Sequence, residues 1–450
     1  MVTPSATAKR MMHSIQFKLE KRSFSRVDDR ECIFSACERH NPQPTIINLR
    51  QISHPAIMNL RGLRAENRCE QQHAGTHGEF MNTAHEQNLS PEAQGALPSE
   101  QVAISIIIPV YNVVAWLARA VDSLTVQTFS DFEILLVDDG SNDGSAELAD
   151  KLALSDSRIR VIHQNNAGAA AARNTAIEVA RGEFLYFMDG DDWCEPDMLA
   201  RMYAVAHKNE LDLLVTGFFI DTYYGAQKFY REARNAPDRI FISQEEFREH
   251  AHELFDAQLL YAPWNKLYRR SYLNEKGIRF PETFWDDLPF NLDVVREIER
   301  VGTLDGHFYH FLRARAESEN TRYRADMYEK REEEHRWLQE LYAAWGIDSP
   351  AIQEFLARRY AERLVGCVEN ITNKNCTLTA REKRAEIARM ISTPQAKDAL
   401  AKAVPGSFMM KMLYVPYRMQ NATLTLWESR FISFVKQHST NLFARLKANR

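Results

Sequence analysis

The apolar pattern of the chain starts abruptly at residue 103. Before it, short apolar pieces are scattered among Gln, Asn, Ser, Pro and His with no sustained period of 2 or 3.6. Residues 1–100 therefore read as a disordered tail, unable to bury enough surface to offset chain entropy. After residue 103, apolar runs alternate with amphipathic stretches. Ile104 to Val110 predicts a strand, Trp116 to Val126 a helix, Glu133 to Val137 a strand, Ser145 to Leu154 a helix and Ile159 to His163 a strand. A helix over Ala169 to Ala180, a strand over Glu183 to Met188 and a helix from Pro196 to Lys208 continue the series. Such alternation implies an α/β fold, a mostly parallel sheet with helices on both faces. Ligands of such sheets sit beyond the carboxyl ends of the strands.

Residues 216 to 325 are mixed and rich in aromatics, and beyond Ala325 the periodicity turns helical, with helices predicted over Met327 to Trp345, Ile352 to Ile371 and Ala380 to Ile391. The expected organisation is a tail over 1–100, an α/β domain over 101–325 with halves near 101–215 and 216–325, and a helical region over 326–450. Composition narrows the class. No apolar run approaches the ~18 to 20 residues of a spanning helix. A net charge of −5 argues against a general nucleic-acid binder, which needs surplus Lys and Arg to meet phosphates. Six cysteines without paired spacing point to neither a disulfide framework nor a zinc site, and no secretory leader pattern opens the chain. A cytoplasmic location is expected. Cys69, His73 and His77 stand at helical spacing but lack a fourth metal partner.

Polar clusters fall at the predicted strand ends. The first strand ends in Pro109-Val110-Tyr111-Asn112, the second in Asp138-Asp139-Gly140-Ser141 and the fourth in Asp189-Gly190-Asp191-Asp192-Trp193. One such cluster is an ordinary turn or helix cap. Three in succession need another reason. Several carboxylates within four residues repel one another unless a cation neutralises them, and Mg²⁺ or Mn²⁺ held by one or two carboxylates takes its remaining ligands from water and phosphate. That chemistry points to a nucleoside diphosphate.

In order and spacing these clusters, together with Gly168 to Asn174 and its Ala172-Arg173-Asn174, resemble the family 2 glycosyltransferases of the GT-A (Rossmann-like) fold, over residues 103 to about 320. The resemblance implies an inverting enzyme moving one sugar from a nucleotide-sugar donor, commonly a UDP-sugar. It implies that Pro109, Tyr111, Asn112, Asp138 and Asp139 line the nucleotide, with Tyr111 against the base, Asp139 accepting from a ring N–H, and Arg173 nearby. Asp189 and Asp191 correspond to the family's DxD element, Asp191 being the direct metal ligand. Thr283 to Asn291 resembles the family's acidic pair followed by Phe. Asp287 then becomes the base that deprotonates the acceptor hydroxyl, with Asp286 the other candidate. Trp264, Lys266 and Trp285 are expected on the acceptor side, with core packing equally open for Trp264. Arg313 and Arg315 are expected at the diphosphate, or on a solvated face. Arg336-Trp337 lacks the preceding Gln of processive synthases, since Glu333 holds that place.

By analogy with the family the expected acceptor is a growing surface glycan on a lipid carrier. The carboxyl-terminal fifty residues carry eight basic groups and one acid, Glu428, a local charge of +7. Leu424, Trp427, Phe431 and Phe434 follow a helical stripe, which suits contact with an anionic membrane surface or packing on the domain. Three rivals stay open: a transferase acting on a protein or small molecule, a nucleotidyltransferase with a similar sheet, and a non-catalytic nucleotide-sugar-binding scaffold. The acids at 189, 191, 286 and 287 weigh against the last.

Overall fold

The computed structural model describes residues 102–223, 229–283, 285–313 and 323–438, with the side chains of 435–438 left aside. The tail with Cys69, His73 and His77, and Arg315, lie outside the described residues. In chain order the elements are β1 (Ile104–Val110), α1 (Val114–Thr125), β2 (Phe132–Asp138), α2 (Ser145–Ser155), β3 (Ile159–His163), α3 (Ala169–Val179), β4 (Phe184–Phe187), β5 (Trp193–Cys194) and α4 (Met198–Lys208). Then come β6 (Leu213–Tyr223), β7 (Phe229–Arg234), β8 (Arg239–Ile240), α5 (Gln244–Asp256), β9 (Lys266–Arg269), α6 (Arg270–Glu275), α7 (Asp287–Arg296) and β10 (Val301–Arg313). Six helices follow: α8 (Met327–Trp345), α9 (Pro350–Ile371), α10 (Ala380–Ile391), α11 (Pro394–Lys402), α12 (Phe408–Arg418) and α13 (Ala422–His438).

The sheet runs β3-β2-β1-β4-β9-β6-β10-β5, with β7 beside β6 and β8 beside β10. The chain winds from β1 to β2 to β3 on one side, then crosses back so that β4 pairs with the other edge of β1. That reversal is where an open α/β sheet forms its ligand crevice. Every residue of β2 is buried, and β1 nearly so, because helices cover both faces. Their registers bring Val110 opposite Asp138 and Ile107 opposite Phe187, so the polar clusters that follow all emerge at one edge.

The mostly parallel sheet expected from the alternation holds for β1 to β4 and fails beyond them. β9 runs antiparallel to both β4 and β6, β7 is antiparallel to β6, and β5 and β8 are antiparallel to β10, while β10 itself runs parallel to β6. The reason lies in the connections. Parallel neighbours need a long crossover, and five residues between β6 and β7 allow only a hairpin.

The apolar core that surrounds the sheet continues through Leu338, Leu341, Tyr342 and Trp345 of α8 to Ile352 and Phe355 of α9. A second cluster begins at Ala357, two residues on, and unites the rest of α9 with α10 to α13. The long helix α9 thus serves both cores, its start set by Ser349, whose hydroxyl accepts from the Ile352 amide, and by Pro350 in the first turn. On α13, Thr425, Leu426 and Ser429 face inward, leaving Leu424, Trp427, Phe431 and Phe434 exposed. Among the described residues no helix is long and apolar enough to cross a membrane.

At the end of the sheet away from the polar clusters, Glu133 is buried in a knot of hydrogen bonds. Its carboxylate accepts from Ser105 Oγ (2.7 Å), the Arg181 amide (2.8 Å), Arg181 Nε (3.0 Å) and Arg160 Nη1 (2.8 Å). Burial works to raise its pKa, but these donors hold it below the ordinary glutamate value. Gly182 closes the knot by donating to Ser105 Oγ at 2.8 Å, and a Cβ there would meet the Ser105 nitrogen at 2.3 Å and the Phe184 oxygen at 2.6 Å. Gly182→Ala is accordingly expected to destabilise the domain by about 1–3 kcal/mol, read as a lower urea midpoint with an unchanged slope.

Candidate functional site

Two loops at the carboxyl edge are fastened to each other before any ligand arrives. Asn112 adopts a positive φ of 52°, its amide donates to Ser141 Oγ (3.2 Å), and its Oδ1 accepts from the Asn142 amide (3.0 Å). Ser145 Oγ and Asp143 Oδ2 accept from the Val113 and Val114 amides (2.9 and 3.1 Å). Gly140 sits at φ 73°, where a Cβ would come within 3.0 Å of the Asn166 nitrogen. Tyr111, by contrast, projects into solvent with 49% of its surface exposed, at the tip of β1.

Asp138 accepts from the Ser141 amide (3.1 Å) and is hydrogen-bonded to His163 Nδ1 (3.1 Å). Against the opposing effect of burial, those partners lower its pKa, and Asp138 and Asp150 together raise that of His163. Asp139, expected at a base N–H, is buried and already accepts three hydrogen bonds of 2.8 Å from Gln164 Nε2 and the Ala167 and Gly168 amides. A carboxylate offers about four lone-pair positions, so one acceptor position is left. The residue shapes the 164–168 loop in its own right.

Arg173 occupies the centre of the site. Helix α3 packs on β1 and β2 through a face that buries Ala172, Ala176 and Ile177, and this carries Arg173 into the crevice with only 5% of its surface exposed. Its Nη2 donates to Asp189 Oδ1 (3.0 Å) and its Nη1 to Asp286 Oδ2 (3.0 Å) and Asp287 Oδ1 (3.2 Å). The guanidinium also lies 5.0 Å from the Phe280 ring centre. One side chain therefore joins the end of β4 to the start of α7, Asp286 lying 113 positions from Arg173 in sequence. Burial opposes its charge, but the three carboxylates, Asp287 foremost, hold it protonated with a raised pKa.

Asn174 fixes the approach to the acid pair. Its Nδ2 donates to the Phe280 carbonyl (2.8 Å) and its Oδ1 accepts from the Phe280 amide (2.9 Å). Phe280 stacks on Phe290 of α7 at 3.8 Å. Trp285, half-buried, carries a φ of 62°, a conformation that a bulky residue adopts at a cost. Immediately after it the helix begins, with Asp286 as its cap residue and Asp287 in its first turn. Asn291 Nδ2 donates to the Asp287 carbonyl (2.8 Å), and Asn291 Oδ1 accepts from Tyr268 (2.8 Å).

The Asp287 side chain keeps 37% of its surface exposed beside the buried Arg173 guanidinium. Desolvation pushes its pKa up to about 7, with Asp286 and Asp189 adding to the rise and Arg173 opposing it. Asp286 is raised for the same first reason, burial. Carboxylates this close titrate as a set.

In the acidic cluster after β4 each acid has a different fate. Asp192 is fully buried, accepting from Tyr309 Oη (2.5 Å) and the Leu312 amide (2.7 Å), and burial drives its pKa far above the ordinary value. It holds β10 in place and is no metal ligand. Asp189 turns to Arg173, its amide donating to Tyr309 Oη at 3.2 Å. Asp191 has its carbonyl held by Arg119 Nη2 (2.8 Å), whose guanidinium lies 4.1 Å over Trp193. Among the described residues no three His, Cys, Asp or Glu side chains converge as a metal site on their own. Two hard carboxylates, Asp189 and Asp191, at one strand end still fit an ion that completes its shell with water and phosphate.

The acceptor-side expectation is corrected at two positions. Trp264 is 6% exposed and lies in the core, stacked between Tyr309 (4.5 Å) and Phe311 (5.5 Å) with Phe218 edge-on. Lys266 is wholly buried, its Nζ donating to the Ala262 carbonyl (2.5 Å) and Asn265 Oδ1 (2.7 Å), with its pKa pushed well down by burial. Lys266 opens β9, a strand flanked on both sides, and Trp264 lies two residues before it. Arg313 is exposed at the end of β10, 5.6 Å from the Phe311 ring. Pro109 is half-buried at the rim. The contributions of Asn174, Phe280, Tyr309 and Asn291 were missed from sequence, although Asn174 adjoins Arg173 in the motif.

Residues 105–277 match the family model described as Glycosyl transferase family 2. Over 210 residues the chain is 40% identical to the uncharacterized glycosyltransferase EpsJ of Bacillus subtilis (strain 168), covering 46% of this chain and 60% of EpsJ. Over 184 residues it is 38% identical to the putative glycosyltransferase EpsH of the same strain, covering 40% of this chain and 51% of EpsH. The chain thus spans half to three fifths of the length of these relatives. The crystal structure of S. aureus TarS 1-349 in complex with UDP-GlcNAc superposes with a TM-score of 0.51 over 75% of this chain and 93% of that one, at 19% identity. This is a likeness of fold.

Arg173→Met is expected to destabilise the protein by about 3–5 kcal/mol, since it strands buried carboxylates without a counter-charge. The loss should be largest above pH 7 and fade as pH falls. Without the guanidinium the folded-state carboxyl pKa values rise further above their unfolded values, so protonation relieves the penalty. Thermal melts of both proteins from pH 5 to 8.5 measure it.

Proposed function

We propose that this chain, which carries a family 2 glycosyltransferase domain over residues 105–277, is an inverting, metal-dependent enzyme that moves one sugar from a nucleotide-sugar donor to a glycan acceptor. The observation that carries the reading is the single guanidinium of Arg173 shared by Asp189 and the pair Asp286 and Asp287. It sets the strand-end carboxylate of a diphosphate site beside a carboxyl group suited to take a proton near neutrality.

In this reading Tyr111 offers its exposed ring to the base, and the linked loops at 110–112 and 138–142 shape the pocket for the nucleoside. A bound Mn²⁺ or Mg²⁺, held by Asp191 and Asp189, would supply positive charge to the leaving diphosphate. Asp287 accepts the proton of the acceptor hydroxyl as that oxygen attacks the anomeric carbon from the face opposite the diphosphate. Asp286 and Arg173 orient it, and Arg173 keeps enough positive charge nearby for Asp287 to ionise. The exposed stripe of α13 adds a location. Leu424, Trp427, Phe431 and Phe434 face solvent in a region of local charge +7, which suits an anionic membrane surface carrying lipid-linked glycans.

Asp287→Asn should lower turnover by about 10²- to 10⁴-fold while calorimetric binding of a nucleoside diphosphate with Mn²⁺ stays within about twofold. Asp191→Ala should show the converse, a loss of metal-dependent binding. In the wild type, kcat/KM should fall as pH drops below about 7, because the base is then protonated. Full turnover in Asp287→Asn would assign the proton to Asp286. For the surface contact, Trp427→Ser with Phe431→Ser should cut co-sedimentation with anionic vesicles by at least about tenfold without lowering the melting temperature, both residues being exposed.

A further inference from the structure

Behind Trp285, where α8 packs on both α7 and α9, lies an arginine cluster with too few counter-charges. Arg331 of α8 sets its guanidinium 4.2 Å over the Trp285 ring and donates to Glu334. The same Glu334 carboxylate oxygen is 3.5 Å from Arg363 Nε of α9. Arg359, one turn earlier, donates through Nε and Nη2 to Tyr261 Oη (3.2 and 3.0 Å) and pairs with Glu362 at 2.9 Å. The Tyr261 carbonyl in turn accepts from Asn291, the side chain that holds the Asp287 carbonyl. The cluster is thus tied directly to the acid helix.

Arg363 is the anomaly. Only 7% of its surface is exposed, and Nε, Nη1 and Nη2 all lack a hydrogen-bond partner. His335 Nδ1, buried nearby, is unpartnered too. Arg331 and Arg363 divide one buried carboxylate between them, so among the described residues the cluster holds a surplus positive charge and unused donors. A desolvated guanidinium in that state is costly unless an anion completes it.

We propose that Arg331, Arg359 and Arg363 form a binding site for a phosphate group of the acceptor substrate. It lies on the acceptor side through its contact with Trp285, one residue before the acid pair, and that placement rests on the assignment of Asp286 and Asp287 to the acceptor. Phosphate fits better than carboxylate. Its three or four terminal oxygens accept from two guanidinium forks at once, whereas a planar carboxylate matches one. Arg331, with 33% of its side chain open, is the accessible member of the cluster, and Arg363 the buried one.

The test uses the full chain and probes that need no turnover. Inorganic phosphate at about 10 mM, with acetate at equal ionic strength as control, should raise the melting temperature of wild type and of Asp191→Ala alike, by about 2 °C or more. Arg363→Met should lose that response, and its phosphate affinity should fall at least tenfold. Without phosphate, its melting temperature should equal or exceed that of wild type, since an unpartnered buried charge has been replaced by a side chain of similar length. Arg331→Gln serves as the second, more exposed variant and should weaken phosphate in the same direction. A short-chain prenyl phosphate binding about tenfold tighter than inorganic phosphate assigns a lipid-linked source, and equal binding a soluble one. Phosphate stabilisation lost in Asp191→Ala but kept in Arg363→Met would place the anion at the donor site and overturn the proposal. An equal response to acetate, or a lower melting temperature for Arg363→Met without phosphate, would overturn it as well.

Discussion

The crevice depends on a single buried positive charge. Arg173 is drawn out of water by the close packing of an alanine-rich helix turn, and a guanidinium so placed persists only when fixed counter-charges surround it. Asp189, Asp286 and Asp287 supply them, and in doing so each is held near the others despite mutual repulsion. The cation thus bridges the polar start of α7 and the end of β4, beside the ring contact of Phe187 with Phe290. The planar fork matters as much as the charge, since one nitrogen serves Asp189 and the other the acid pair.

The other acids of the crevice are handled by different means. Asp192 is fully buried, which raises its pKa, while donors on β10 oppose that rise and make the carboxyl group a structural clasp. Glu133 and Asp138 remain below their ordinary pKa because hydrogen-bond donors outweigh burial. The aromatic sandwich of Trp264, Tyr309 and Phe311 gives the clasp a rigid backing. Tyr309 belongs to both sets, with its ring in the stack and its hydroxyl between Asp189 and Asp192.

Local pattern carried the first half of the domain. Strands β1 to β4 and their helices follow from alternating periodicity, and turn residues at the strand ends marked where ligands would sit. Non-local geometry was hidden. No spacing in the sequence tells that Arg173 reaches Asp286, because that contact is made by packing between α3 and the segment pinned by Asn174. Nor does residue type separate Asp192 from Asp191, although one is sealed under Tyr309 and the other has its carbonyl held by Arg119. Lys266 and Trp264 looked like ligand contacts, yet Lys266 lies on β9 between two other strands, and Trp264 is buried against Tyr309 and Phe311. The antiparallel portion was illegible for a related reason, since strand direction depends on which neighbours the chain finds after the regular alternation stops.

The knot of Glu133, Ser105, Arg181 and Gly182 lies at the end of the sheet opposite the crevice. That separation has a consequence for how such a chain can diversify. Anchoring interactions and the crevice loops occupy different ends of the same strands, so loops at 110–112, 138–142 and 164–168 can vary in composition while the far end continues to hold the register. Descendants of this sequence can therefore change what they recognise in small steps, each one paid for at the crevice alone.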